Sequence, residues 1–258
     1  MIRIKSAVKK TAVFMMYWMI TGSFAFLLDY VVFGEEKAWN QKLWMTAEEC
    51  TAEVSDILVP ENLESGNNDT GNGQKKRIAL SFDDGPHAVY TEMLLDGLAE
   101  RNVKAAFFVV GKNIAGNEKL ISRMYQEGHV IGNHTYDHVK LCELSDAEAC
   151  EQIEKTNTLI RKITGTELEF VRPPFGEWNH DMECSFTMIP VLWDVDPLDW
   201  TTKNQHQIVQ HVLKEVKDGD IILLHDYYES SVGAALQIVD ELQKQGYEFV
   251  TIDEMILD

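Results

Sequence analysis

A distorted (β/α)7 barrel, an incomplete form of the eight-fold α/β barrel, is the fold this sequence predicts, and three observations predict it. Short apolar runs alternate with helical patterns, as buried parallel strands do. Polar groups capable of chemistry stand directly after five of those runs, at residues 83, 134, 172, 194 and 225. The interval between Arg172 and Trp193 is too short for a full helix plus strand, so one unit is abbreviated.

Taken in order, residues 77–82 form a strand that ends in Asp83-Asp84-Gly85. A helical pattern at 90–101 sets Met93, Leu94 and Leu98 on one face, and a second at 117–127 does so with Leu120, Ile121 and Met124. Residues 129–133 form a strand ending in His134, with His138 four residues on. Ser145-Asp-Ala-Glu148 has the form of a capping box, opening a helix that runs to about Ile163. The short strand at 169–171 ends in Arg172-Pro-Pro-Phe-Gly176, and residues 188–193 lead to Asp194, Asp196 and Asp199-Trp200. A helix at 205–216 precedes the strand 221–224, which ends in His225-Asp226. A helix at 231–245 stops at Gly246, and 247–251 is the final strand. In α/β barrels, groups after the C-terminal ends of different strands meet on one rim.

Composition bounds the function. The chain has 258 residues, 45% of them apolar, which suffices for one catalytic domain and a substantial core. The net charge of −19 divides into +3 for residues 1–33, −5 for 34–76 and −17 for 77–258. Such an acidic domain repels phosphate backbones, so nucleic acid is excluded as a partner, whereas a neutral or cationic glycan is compatible.

Residues 1–33 place Arg3, Lys5, Lys9 and Lys10 ahead of an apolar run, the order of a signal peptide or a membrane anchor. Ser23-Phe24-Ala25 offers a cleavage site; continuation through Tyr30-Val-Val-Phe33 offers an uncleaved span. Either way the remainder is exported, as a secreted or membrane-anchored protein. Residues 34–74 read as an extracytoplasmic stalk and linker, and 75–258 as the catalytic domain. Cys50, Cys142, Cys150 and Cys184 permit three complete pairings, but no Cys-x-x-Cys occurs, and the default reading is incidental thiols.

Asp83 and Asp84 point different ways from the backbone, so one carboxylate can hold a cation while the other stays free as a base. Alone, Asp-Asp-Gly is an ordinary turn; its place after a strong strand sets it apart. His134 and His138 have the spacing that one helical turn brings to the same side, where both can share a divalent ion. Two His and one carboxylate leave a position open to water, the catalytic rather than the closed structural type of site. Arg172 stands where a carboxylate needs a cation, and the two prolines after it fix the direction of the Phe175 amide. His225 has Asp194, Asp196 and Asp199 on the preceding rim, any of which can make it a carboxylate-paired imidazolium.

Five segments, Ser81-Phe-Asp-Asp-Gly85, His134-Thr-Tyr-Asp-His138, Arg172-Pro-Pro-Phe-Gly176, Asp196-Pro-Leu-Asp-Trp200 and Leu223-Leu-His-Asp226, resemble the ordered motifs of the polysaccharide deacetylases. These are the carbohydrate esterases built on the NodB homology domain. The resemblance covers residues 75–258 and leaves no motif missing. It implies an incomplete TIM barrel in which Asp84, His134 and His138 bind one divalent metal ion, usually Zn2+. It further implies Asp83 as general base, oriented by Arg172, and His225 as general acid, kept protonated by Asp199. Trp200 and Leu223 would wall the acetyl pocket, and the Phe175 amide would serve as oxyanion donor. Phe175 replaces the Tyr of many members, and the second motif position is Asp84 rather than Asn, which resembles the glucosamine-directed branch. The implied reaction is removal of N-acetyl groups from an N-acetylglucosamine polysaccharide such as peptidoglycan. The alternatives are an O-acetyl esterase on xylan, a catalytically silent glycan-binding module, and a cyclic-amidase relative, the last disfavoured by Asp199-Trp200 and export.

Overall fold

The computed structural model describes residues 75–178, 182 and 184–257; the leader and stalk expected at 1–74 lie outside them. Among the described residues there are seven strands: β1 (Arg77–Asp83), β2 (Ala106–Val109), β3 (Val130–Asn133), β4 (Phe170–Val171), β5 (Ile189–Pro190), β6 (Ile221–His225) and β7 (Glu248–Val250). The helices are α1 (Tyr90–Glu100), α2 (Glu118–Gln126), α3 (Asp146–Thr164), α4 (Gln205–Glu215), α5 (Glu229–Lys244) and α6 (Ile252–Leu257). Every strand pairing is parallel, in the order β5-β4-β3-β2-β1-β6. Ala79 is flanked by Ile221 and by Val250, so β7 takes the N-terminal half of the β1 edge whose C-terminal half belongs to β2.

The sheet curls almost closed. After β5 the chain crosses to the far edge, where Val195 bridges Ile222 and the Leu223 N–H donates to the Val195 carbonyl at 2.9 Å. This crossing takes the place of a helix–strand unit, as the short interval predicts. Residues 188–193 do not, however, form the buried strand expected of them. Only Ile189 and Pro190 are extended, both exposed, because β5 is the strand where the barrel stays thin.

Alternation along the strands sorts two cores. Ile78, Leu80, Phe82, Phe107, Val109, Ile222 and Leu224 face outward onto the helices. Ala79, Ala106, Phe108, Phe170, Val191 and Ile221 fill the barrel interior. Gly132 belongs to that inner parity, and a Cβ there would overlap the Phe108 ring, so glycine is what admits this aromatic. The helices contribute Leu94, Leu95 and Leu98, Leu120, Ile121 and Met124, and a run along α5 to the outer core. Met93 is the exception to the expected α1 face and is 45% exposed; Leu95 is buried instead.

α3 opens on the expected box, the Ser145 N–H donating to Glu148 Oε2 at 3.0 Å. Cys150 of α3 is joined to Cys184 by a disulfide, which corrects the reading of incidental thiols; Cys142 is free and exposed. Among the described residues, no helix is long and apolar enough to cross a membrane.

Candidate metal centre and its surroundings

Strand register brings the chemistry together. Asp83 pairs with His225 across β1 and β6 and with Phe108 across β1 and β2. Val109 pairs with Asn133, and Asn133 with Val171. The residues immediately after β3 and β4 are His134 and Arg172, so Asp83, His134, Arg172 and His225 arrive at one level of one rim.

Asp84, His134 and His138 form a cluster in which one ligand atom from each lies within 4.8 Å of the others. His134 Nε2 is 3.6 Å and His138 Nε2 3.3 Å from Asp84 Oδ1. The expected helical turn is absent. Thr135 and His138 both adopt positive φ, 62° and 59°, so a loop, not a helix, brings the imidazoles together at 5.0 Å between ring centres. That loop is held from below. Thr135 N–H donates to Asn133 Oδ1 at 2.7 Å, the Thr135 hydroxyl accepts the His138 N–H at 3.0 Å, and Asn133 Nδ2 donates to Asn157 Oδ1 at 2.7 Å. Sequence reasoning assigned no role to Asn133 or Thr135; their one signal was a short polar side chain ahead of a loop between two ligands.

The donor set fits a divalent cation. His134 Nδ1 lies 2.6 Å from the Arg172 carbonyl, which can only accept, so the proton sits on Nδ1 and the Nε2 lone pair faces Asp84. Burial, against the pull of Asp84, pushes His138 below its usual pKa, which keeps that imidazole neutral as a ligand must be. Asp84 Oδ1 is buried without a hydrogen-bond partner. An unpartnered carboxylate oxygen facing two imidazole lone pairs is a cation site by its chemistry.

Asp83 borders the cluster but is committed elsewhere. Its Oδ1 takes the Arg172 Nη1 at 2.8 Å, while Oδ2 points toward His134 Nε2 at 3.7 Å. Arg172 is wholly buried, and each of its three guanidinium nitrogens has an acceptor: Asp83, the Ser81 hydroxyl at 2.9 Å and the Val191 and Leu192 carbonyls at 3.0 and 2.9 Å. Its guanidinium lies 4.0 Å over the Phe108 ring. The carbonyl acceptors come from the β5 crossing, which explains why this irregular segment must pass here.

Asp199, on a short 3-10 turn, holds His225 with both oxygens: Oδ1 to Nδ1 at 2.7 Å and Oδ2 to the backbone N–H at 2.9 Å. Asp194 and Asp196 do not share that task; each accepts a backbone N–H, of Ile221 and Leu198 respectively. Burial alone would lower the His225 pKa, but the hydrogen bond and charge of Asp199, with Asp83 and Asp84 beyond, outweigh it and raise it to about 9. A raised imidazole pKa contributes stability that is complete below about 6.5 and is lost as pH rises through about 9. Any step that uses the His225 proton should therefore persist across neutral pH and fail on the alkaline side near 9. In Asp199→Asn the largest offset to burial is gone, and the alkaline limb of a kcat/KM profile should move to lower pH.

Phe175 has φ 64° and is 58% exposed, its ring 5.0 Å from His138. Trp200, beside Asp199, is 56% exposed, and Leu223 is buried on the inner face two residues below His225. The metal cluster, Asp83, Arg172, Phe175, Asp199, Trp200 and His225 thus lie at or next to this rim, with Leu223 just below it. Asp194, expected at a strand end with them, instead lies beside Ile221 at the opposite end of β6 from His225, because the crossing after β5 reaches β6 at its first residue.

Comparison with known proteins agrees with this geometry. Residues 70–187 match the family model for polysaccharide deacetylase. The chain is 40% identical over 187 residues to the peptidoglycan-N-acetylmuramic acid deacetylase PdaC of Bacillus subtilis, covering 72% of this chain and 40% of PdaC. It is 37% identical to a peptidoglycan-N-acetylglucosamine deacetylase of Bacillus cereus, covering 70% of this chain and 89% of that protein. The chain belongs to the polysaccharide deacetylase family. Within that family, the solved structure of PdaC superposes with a TM-score of 0.68 at 41% identity, over 70% of this chain and 90% of that one. A family 4 acetyl xylan esterase from Clostridium thermocellum, solved with a cobalt ion, gives a TM-score of 0.66 at 36% identity, over 70% of this chain and 91% of that one. The chain spans about two fifths of the length of PdaC.

Proposed function

We propose that this chain is a metal-dependent hydrolase that removes N-acetyl groups from an N-acetylglucosamine-containing polysaccharide, peptidoglycan foremost, releasing acetate. The observation that carries the reading is the division of labour at the rim. A three-ligand cluster stands beside a carboxylate that is not part of it, and a carboxylate-held imidazole sits on the neighbouring strand. The deacetylase relatives support the reaction class.

Asp84, His134 and His138 would hold one divalent ion, most simply Zn2+, which when bound polarises a carbonyl and makes a water acidic. Asp83 takes the proton of the attacking water; Arg172, bonded to its other oxygen, holds that carboxylate aimed before the reaction begins. The Phe175 N–H donates to the oxyanion as the acetyl carbon becomes tetrahedral. His225, protonated through Asp199, gives its proton to the nitrogen, which then leaves as an amine. Leu223 and Trp200 exclude water from around the acetyl methyl. Acetate and a glucosamine unit result.

The N-terminal segment supports action outside the cytoplasm, with residues 1–33 as signal peptide or membrane anchor and 34–74 as tether. The acetyl xylan esterase relative favours a second reading, hydrolysis of an O-acetyl ester, which needs less from His225 because an alcohol leaves more easily than an amine. The test is mass spectrometry of acetate released from peptidoglycan fragments, N-acetylglucosamine oligomers and acetylated xylan. Release from the N-acetylated substrates, abolished by chelator and restored by zinc, is expected. Release from xylan alone, or release indifferent to chelator, would contradict the N-deacetylase reading.

A further inference from the structure

An aromatic surface adjoins the metal cluster, and the chemistry proposed above leaves it unused. His87 lies three residues beyond Asp84, and Tyr227 and Tyr228 follow His225 and Asp226 at the end of β6. The His87 ring stacks on Tyr90 at 4.5 Å with planes 16° apart. Tyr227 meets His87 edge-on at 5.0 Å, and Tyr228 meets Tyr227 edge-on at 5.9 Å. Tyr227 and Tyr228 are nonetheless 42% and 38% exposed. They form a contiguous wall of rings rather than scattered surface aromatics.

This wall is rigid. His87 Nδ1 accepts the N–H groups of Val89 and Tyr90 at 3.3 and 3.2 Å, and the His87 N–H donates to the Thr91 hydroxyl at 2.7 Å. That hydroxyl donates in turn to the carboxyl of Asp226, which is wholly buried. A Cβ at Gly85 would overlap the same carboxyl, so glycine lets the loop after β1 close onto it. Asp226 thereby clamps the loop carrying His87 to the strand end carrying Tyr227. A ring fixed in advance, as His87 is, loses little freedom when a ligand arrives.

The wall is also continuous with the candidate site. Asp83 pairs with His225 across β1 and β6, so the loop from Asp84 to His87 and the segment from His225 to Tyr228 leave neighbouring strand ends. The Tyr228 phenol, its pKa raised by burial, remains a neutral hydrogen-bond donor. A pyranose presents a face of C–H bonds and a rim of hydroxyls, which matches flat rings bordered by phenol O–H groups. The charge of −17 carried by residues 77–258 disfavours a polyanion at this surface.

We propose that His87, Tyr227 and Tyr228 form a sugar-binding subsite that receives the residue adjoining the acetylated one in the same glycan chain. The proposal rests on the deacetylase reading for the neighbouring position, and its test is separate from turnover. The zinc-loaded full chain is titrated calorimetrically with glucosamine oligosaccharides, which carry no acetyl group to hydrolyse. Tyr227→Ala and Tyr228→Ala should each weaken tetrasaccharide binding by about five- to twentyfold, and disaccharide binding by less. Tyr227→Phe should retain most of the affinity, and Tyr125→Ala, which removes an exposed ring on α2, should retain all of it. Circular dichroism of each variant confirms that the fold is intact. Unchanged tetrasaccharide affinity in folded Tyr227→Ala and Tyr228→Ala, or no binding by the parent protein, would overturn the subsite. Ring-dependent binding by a protein that releases no acetate from N-acetylated oligomers would leave the subsite standing and remove the deacetylase reading.

Discussion

Asp83→Asn should lower kcat on an N-acetylglucosamine oligomer by roughly 10²–10⁴-fold while one metal ion per chain is retained. The amide cannot take a proton from water, yet it keeps the size of the carboxylate. Asp84, His134 and His138 meet one another without Asp83, so their cluster survives the change. A loss of that size with KM little changed is the signature of an interaction made only in the transition state. Parallel loss of metal would instead place Asp83 among the ligands.

The second large effect concerns the partner of that carboxylate. Arg172→Met should cost about 3–5 kcal/mol in stability, because Asp83 is left as a buried charge with no counter-charge. Three further acceptors, on Ser81, Val191 and Leu192, lose their donor in the same step. The double variant Asp83→Asn, Arg172→Met should be less unstable than the sum of the two singles, since neither charge then remains to be desolvated alone. Urea unfolding of the four proteins measures this coupling. Additive losses would mean that the pair contributes no mutual stabilisation.

Much of this site was legible in the sequence because strands buried on both faces read as apolar runs, and the chemistry stands where those runs stop. Asp83, His134, Arg172 and His225 could be placed on one rim from that pattern, and the strand register brings them level. The path of the backbone between such points was not legible. His134 and His138 have helical spacing but are joined by a loop with two left-handed residues, a conformation set by the Asn133 and Thr135 hydrogen bonds. Spacing alone left Asp194, Asp196 and Asp199 alike, and only the family resemblance pointed to Asp199, the carboxylate that meets His225. The Cys150–Cys184 disulfide joins residues 34 apart, a separation that no spacing rule marks. The ring wall was invisible for the same reason: His87 and Tyr227 are distant in the chain and meet only through β1–β6 pairing.

The departures share a cause. Where the barrel is thin, at β4 and β5, irregular backbone supplies carbonyls to Arg172 that a regular strand would spend on its neighbour. A buried guanidinium needs those acceptors more than the sheet needs a long fifth strand.

The central claim is that Asp84, His134 and His138 hold a single divalent ion. A crystal structure of the zinc-loaded full chain, with anomalous data collected at the zinc edge, tests it most directly. One anomalous peak in contact with Asp84 and the Nε2 atoms of His134 and His138, with Asp83 outside the coordination sphere, is the predicted result. A peak elsewhere, or none at this cluster despite saturating zinc, would contradict the account.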